Sequence, residues 1–336
     1  MIEKRRLRPC SEKKMRNVFI VNPNAGKPGR AAALCEHIRS RFSEIGGKYK
    51  IHIAKNRSDG REIALQEASK GDEVRIFACG GDGTAFHVLN GMTGFENAAL
   101  GIIPCGTAND FIKYFGEKSH DIFSDIGAQL SGCVRRVDAV KALGQYALNQ
   151  CSIGMDADVC ANKDRFSRLP LIDGQAAYIM SLFYCFLSSI KNRLTIQIDK
   201  SEPVTGDFLF AVAANGRYYG GGFKSAPDAI LDDGMIDCLA IDSVSRLKIA
   251  SLLKCYTRGD HVEKPFCHLK KGKRMTVTAK KETAVNMDGE VYMTKEVTFE
   301  AVPNAVRLVV PRGCEDAPFA NKPKNGKTME EGAAFG

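Results

Sequence analysis

The chain has 336 residues, 44% of them hydrophobic and 26% charged, with 48 Lys and Arg against 39 Asp and Glu for a formal net charge of +9. That is material for a globular protein of two packed domains, and the longest apolar stretch, residues 176–190, is too short to span a bilayer. The twelve cysteines show no CxxC or Cys/His ligand spacing, which argues against a zinc site and for a reducing compartment.

The N-terminus is charged and lacks the apolar core of a secretory signal, so a cytoplasmic protein is expected. Residues 1–16 form a basic arm (Lys4, Arg5, Arg6, Arg8, Lys13, Lys14, Arg16), and a second basic cluster lies in residues 261–281 (Lys264, Lys270, Lys271, Lys273, Arg274, Lys280, Lys281). Such clusters either solvate the surface or meet a polyanion, here peripherally the anionic inner face of a membrane. No aromatic-interleaved basic surface supports nucleic acid as the partner.

From residue 17 onward, strands at 17–21, 49–54, 74–79 and 99–104 alternate with helices at 30–45, 62–70, 84–90 and 110–115. Short apolar strands separated by amphipathic helices predict a doubly wound, mostly parallel sheet, an α/β domain over residues 17–136. Ligands of such sheets bind beyond the carboxyl ends of the strands. From 137 to 302 the rhythm changes to strands at 137–143, 146–153, 194–198, 208–214, 235–241, 275–278, 283–286 and 297–301, which predicts an antiparallel second domain. Helices are expected at 175–190 and 245–257. A last strand at 306–310, within segment 303–313, is expected to return to the first sheet, and 314–336 reads as a flexible tail.

The most informative stretch runs from the strand at 74–79 through Gly80-Gly81-Asp82-Gly83-Thr84 into a helix. Glycines without Cβ atoms let main-chain N–H groups approach an anion, and the helix turns its positive end to the same point. Asp82 does not favour bare phosphate there; it suits a ribose hydroxyl, a metal-bound water or a basic partner. A tight strand-to-helix connection is the plainer alternative. Residues 21–27 lack the glycine spacing and the Ser/Thr after Lys27 of a Walker A loop, leaving an Asn-Pro turn whose Asn22 amide can reach a nucleotide.

Asp228, Asp232, Asp233 and Asp237 crowd around Gly234, as a hard divalent cation or a solvated acidic turn would have it. Asp288-Gly289 fits a two-residue hairpin turn, or Asp288 serves as a general base toward a substrate hydroxyl. Residues 180–190 (Met180, Leu182, Phe183, Phe186, Leu187, Ile190), preceded by Lys163, Arg165 and Arg168, read as core packing or as the wall of an acyl-chain site.

As an ordered set, Asn22-Pro23-x-x-Gly26, Gly80-Gly81-Asp82-Gly83-Thr84, Gly106-Thr107-x-Asn109-Asp110, Gly220-Gly221-Gly222-Phe223 through Ala226-Pro227, Asp233-Gly234 and Asp288-Gly289-Glu290 resemble the diacylglycerol kinase catalytic family over about residues 17–310. The likeness is to its soluble bacterial lipid kinases, themselves similar to sphingosine and ceramide kinases. The resemblance implies a nucleotide domain, a C-terminal antiparallel β-sandwich-like domain for the lipid, and a site in the cleft between them. It implies ATP and Mg2+ as cofactors, with Asn22, Gly26, Gly80, Gly81, Asp82, Gly83, Thr84, Gly106 and Thr107 around the nucleotide, together with Glu290. Asp110 would join an aspartate–water–magnesium network, Asp82 and Asp288 would be catalytic, and Asp288 the base that activates the lipid hydroxyl.

By the same resemblance Asp233, with the carbonyls of Ile230 and Met235, would hold a structural magnesium ion, and Asp138 falls at the domain crossing. The acceptor would be diacylglycerol or a related lipid: a sphingoid base, ceramide or phosphatidylglycerol. One departure is His87, where the family pattern often has Glu. NAD kinases share the glycine motif and make a soluble nucleotide acceptor the alternative. An exposed strand edge in the second domain could serve a homodimer.

Overall fold

The computed structural model describes residues 15–56, 58–106, 109–155, 157–158, 191–245, 248 and 255–320. Strands β1 (Arg16–Val21), β2 (Lys48–Ile53), β3 (Val74–Gly80) and β4 (Ala98–Pro104) are mutually parallel in the order β2-β1-β3-β4. Val74, Ile76, Phe77 and Cys79 on β3 are fully buried, as expected of a strand covered on both faces. Helices α1 (Arg30–Ile45), α2 (Asp59–Ala68) and α3 (Asp82–Met92) supply that cover. Two short helices that no clear periodicity announced, α4 (Ser119–Ser124) and α5 (Ile126–Leu130), follow.

The second half is antiparallel. It comprises β5 (Cys133–Ala142), β6 (Gln145–Ala147), β7 (Gln150–Gly154), β8 (Asn192–Ile198), β9 (Val204–Ala214), β10 (Ile236–Asp242), β11 (Cys267–Gly272), β12 (Arg274–Met287) and β13 (Glu290–Val310). The 21-residue β13 pairs with β12 in this half and, at Leu308↔Leu100, runs parallel to β4 in the first. Strand β5 lies antiparallel to β13 across both halves. The expected return of residues 306–310 to the first sheet is therefore the far end of one long strand.

Several expected spans take a different form. Residues 275–278 and 283–286 are one strand, β12, with its register shifting between Thr278 and Thr283. Residues 297–301 and 306–310 are both β13, which is irregular between Val302 and Val306, where Pro303 removes a donor and Asn304 adopts φ 55. The expected strand 146–153 breaks into β6 and β7 because the N–H groups between them turn away to a carboxylate, described below. Strand β11 carries the sequence CHLKKG, whose lysines mask any apolar alternation.

Residues 110–115 form a 3-10 helix, Phe111–Phe115. Arg16, assigned to the basic arm, opens β1 and pairs with Glu67 and Asp72. The first residues of the expected tail are packed: Cys314, Ala317 and Phe319 are buried, the Arg135 guanidinium lies over the Phe319 ring, and the Tyr114 hydroxyl donates to the Pro318 carbonyl. The helix expected at 175–190 lies outside the described residues, as do most of 245–257 and all of 321–336. No described helix is long and apolar enough to cross a membrane.

Candidate active site

Three loops leave the carboxyl ends of β1, β3 and β4 and meet. The Asn22 amide donates to Thr84 Oγ1 at 3.1 Å, tying the first loop to the second. Gly26 has φ 79, and a Cβ there would lie 2.2 Å from the Cys105 carbonyl oxygen, so glycine alone lets the first loop touch the third. A Cβ on Gly106 would come within 2.9 Å of the Gly81 Cα. The Gly80 carbonyl accepts from Cys105 N–H at 2.9 Å and from Asn109 Nδ2 at 3.0 Å, closing the second loop on the third. Helix α3 starts at Asp82, with its positive end at this meeting point. Thr107 lies outside the described residues.

Carboxylates collect here. The Asp110 N–H donates to Asp82 Oδ2 at 3.3 Å. Burial pushes the Asp82 carboxyl up to about 7, and the like charges of Asp110 and Asp288 push the same way, although the side chain keeps an edge at the surface. Asp110 is 4% exposed; its Oδ1 takes Lys113 Nζ at 2.5 Å and its Oδ2 takes the Gly221 N–H at 2.7 Å. Gly221, with φ 87, thus brings the Gly220-Gly221-Gly222 turn of the second half against an acid of the first. Beside the 3-10 helix opens a cavity of about 430 Å³, lined in part by Asn109, Ile112, Lys113 and Tyr218.

The second half contributes the turn between β12 and β13. Asp288 sits there at φ 49, and its carboxylate accepts Leu148 N–H at 2.6 Å on Oδ2 and Gln150 N–H at 2.8 Å on Oδ1, with Asn149 N–H 3.2 Å from both. These amides are the interruption between β6 and β7. Burial raises the Asp288 carboxyl to about 6, the three amides holding it back. Two residues on, Glu290 Oε1 is 3.4 Å from His87 Nε2, and it is also 3.3 Å from where a Cβ on Gly83 would stand. Gly83 therefore leaves room for the Glu290 carboxylate to lie over the glycine loop.

Most of the residues singled out in the sequence converge: Asn22, Gly26, Gly80, Gly81, Asp82, Gly83, Thr84, Gly106, Asp110, Asp288 and Glu290 are brought together where the two halves meet. Lys113, Gly221 and the amides of residues 148–150 complete the set. Lys113 could have been noticed as the basic residue three positions beyond Asp110; the amides carry no side-chain signal. Asp110 and Asp288 have both oxygens engaged, so direct contact with a magnesium ion arriving with a polyphosphate would fall to Asp82, which the like charges around it favour.

The expected structural magnesium site is a separate place and does not fit that cation as it stands. Asp233 Oδ1 accepts the Met235 N–H at 3.0 Å and Oδ2 takes Lys271 Nζ at 2.5 Å, so both oxygens are engaged. Asp138 is near it: its carboxylate accepts Gly234 N–H at 2.6 Å and Asn304 N–H at 2.7 Å, pinning the Asp233 turn to the irregular middle of β13.

Residues 16–142 match the family described as "Diacylglycerol kinase catalytic domain", and residues 149–310 match "YegS C-terminal NAD kinase beta sandwich-like domain". Among curated proteins, the diacylglycerol kinase of Bacillus subtilis (strain 168) is 26% identical over 88% of this chain and 96% of its own length. That of Staphylococcus saprophyticus is 29% identical over 81% and 88% respectively. A crystal structure of a diacylglycerol kinase from Bacillus anthracis superposes with a TM-score of 0.61 at 21% identity, covering 89% of this chain and 98% of the other. The last likeness speaks to the fold.

Proposed function

The chain belongs to the diacylglycerol kinase catalytic-domain family, and we propose that it transfers the γ-phosphoryl group of Mg·ATP to the hydroxyl of diacylglycerol or a related lipid. The observation that carries this reading is the opposition of a glycine-lined anion cradle, with Asp82 and Asp110 at its edge, to the Asp288–Glu290 turn of the other half. In-line phosphoryl transfer asks the protein for position and charge rather than covalent chemistry. The N–H groups at the start of α3 and the loops around Gly81 and Gly106 would hold phosphate oxygens. Asp82 would take the magnesium delivered with the nucleotide, and Asp110, both of whose oxygens are engaged by Lys113 and the Gly221 N–H, would reach it through water.

Two acids compete for the role of proton acceptor. Asp288 has both oxygens held by main-chain amides, which suits it to fixing the turn. Glu290 lies over the glycine loop beside Gly83 with His87 as neighbour, and on that position we assign it the proton while Asp288 positions it. The exposed lysines 264, 270, 273, 280 and 281 support a peripheral approach to an anionic lipid surface, each adding about 1 kcal/mol near such a surface.

The test is a phosphorylation assay with radiolabelled ATP and, separately, mixed-lipid micelles or NAD, with products identified by mass spectrometry. Label extracted into chloroform supports the lipid reading. Label only in aqueous NADP overturns it in favour of a soluble nucleotide acceptor.

A further inference from the structure

The turn containing Asp233 lies where the two halves join. Asp138, near the start of the second half, receives Gly234 N–H and Asn304 N–H, while its own N–H donates to the Leu231 carbonyl at 2.7 Å. Asp232 receives the Ala320 N–H at 2.6 Å. Strands β5 and β13, the segment ending in Ala320 and the turn before β10 therefore share one knot of main-chain bonds. A cation at Asp233 would brace that knot.

An ammonium group is already there. Lys271 on β11 stands directly opposite Asp237 on β10 in the antiparallel register, and its Nζ lies 2.5 Å from Asp233 Oδ2 and 3.5 Å from Asp237 Oδ2. The Asp237 side chain is 6% exposed, that of Asp233 18% and that of Lys271 37%. A divalent ion on Asp233 Oδ2 and an ammonium at hydrogen-bond distance from the same oxygen repel each other, so the two are mutually exclusive occupants. The lysine is tethered and its partners are held in register, so it bridges both carboxylates without drawing on dissolved cations.

We propose that the Lys271 ammonium takes the place of a structural divalent cation at the Asp233 turn, so that this junction is held without metal. The inference concerns a position away from the cleft and stands whether or not the lipid-kinase reading does.

The experiment is thermal unfolding of the full chain without nucleotide, in EDTA and in millimolar MgCl2, for the wild type, Lys271→Met, Lys271→Arg and the double variant Lys271→Met/Asp233→Asn. In the wild type and in Lys271→Arg, Asp233→Asn introduced as a further control should abolish no magnesium response, because any response arises in the nucleotide cleft. Lys271→Met should melt about 2–4 °C lower in EDTA and regain part of that loss in MgCl2, and the regained increment should vanish in the double variant. Elemental analysis of the dialysed wild type should find no stoichiometric divalent metal. A stoichiometric ion that Asp233→Asn removes, or a Lys271→Met protein as stable in EDTA as the wild type, would overturn the proposal. Should Lys271→Met fail to fold, the elemental analysis of the wild type and of its Asp233→Asn variant decides the matter.

Discussion

His87 and Glu290 face each other over the glycine loop, Nε2 to Oε1 at 3.4 Å, one from the first turns of α3 and the other from the first residue of β13. Each half of the protein thus places one member of the pair. Glu290→Gln is expected to lower kcat by about 10²–10⁴-fold, the usual loss of a general base, with little change in KM for ATP. His87→Ala leaves the acid in place but unsteadied, and about a 10-fold fall in kcat is expected from misplacement. Steady-state kinetics with a lipid acceptor check both; a fully active Glu290→Gln enzyme would return the base role to Asp288.

Asp288→Ala should behave differently. It strands three main-chain N–H groups that now donate to one carboxylate, and an unmet buried donor costs about 1–3 kcal/mol. A loss of roughly 3 kcal/mol in urea unfolding is expected, whereas Glu290→Gln should unfold as the wild type does. Equal stability of the two variants would contradict the bracing role given to Asp288.

The acid cluster has a signature in pH. Asp82 has its carboxyl raised from 3.8 to about 7 in the folded protein, so the folded state holds a proton that the unfolded state has released. Its contribution to stability is complete below pH 3.8 and is lost as pH rises through 7. Asp82→Asn should therefore raise the melting temperature of the nucleotide-free protein above neutral pH and leave it nearly unchanged below pH 3.8, while abolishing turnover. Thermal scans across pH check the sign.

Glu67 predicts the opposite slope. Its side chain is 2% exposed and receives Lys70 at 2.6 Å, Lys50 at 3.1 Å and Arg16 at 2.6 Å, with His52 at 3.2 Å. Burial alone would raise its carboxyl, but the Lys70, Lys50 and Arg16 partners prevail and hold it at about 2 against an ordinary 4.5. The stability this supplies is present above pH 4.5 and is lost as pH falls through 2. Glu67→Gln should cost about 1.5–3 kcal/mol at neutral pH and flatten the acid limb of the stability curve, as urea unfolding at several pH values would register.

What could be read from the chain alone follows from where the information resides. Strand β3 and the glycine loop were legible because a short, mainly apolar run ending in glycines has few other uses. The meeting of the Asn22, Gly80 and Gly106 loops followed from the parallel sheet, whose strands all end on one side. The split between β6 and β7 was not legible, since Tyr146 to Ile153 has no Gly or Pro to break it and the carboxylate that interrupts it lies 140 residues away. Lys271 read as one basic residue among many; only the register of β10 and β11 sets it against Asp233 and Asp237.

Strand β13 carries Glu290 at one end and Val306 to Val310 inside the nucleotide sheet at the other, roughly 60–70 Å of extended chain in 21 residues. With β5 alongside, the two halves are welded by continuous ribbon rather than joined by a slack tether. Any widening between the halves must then be absorbed as torsion near Pro303 and Asn304, so Glu290 and the sheet that carries the glycine loops ride on a single spring whose stiffness sets how far the mouth can gape.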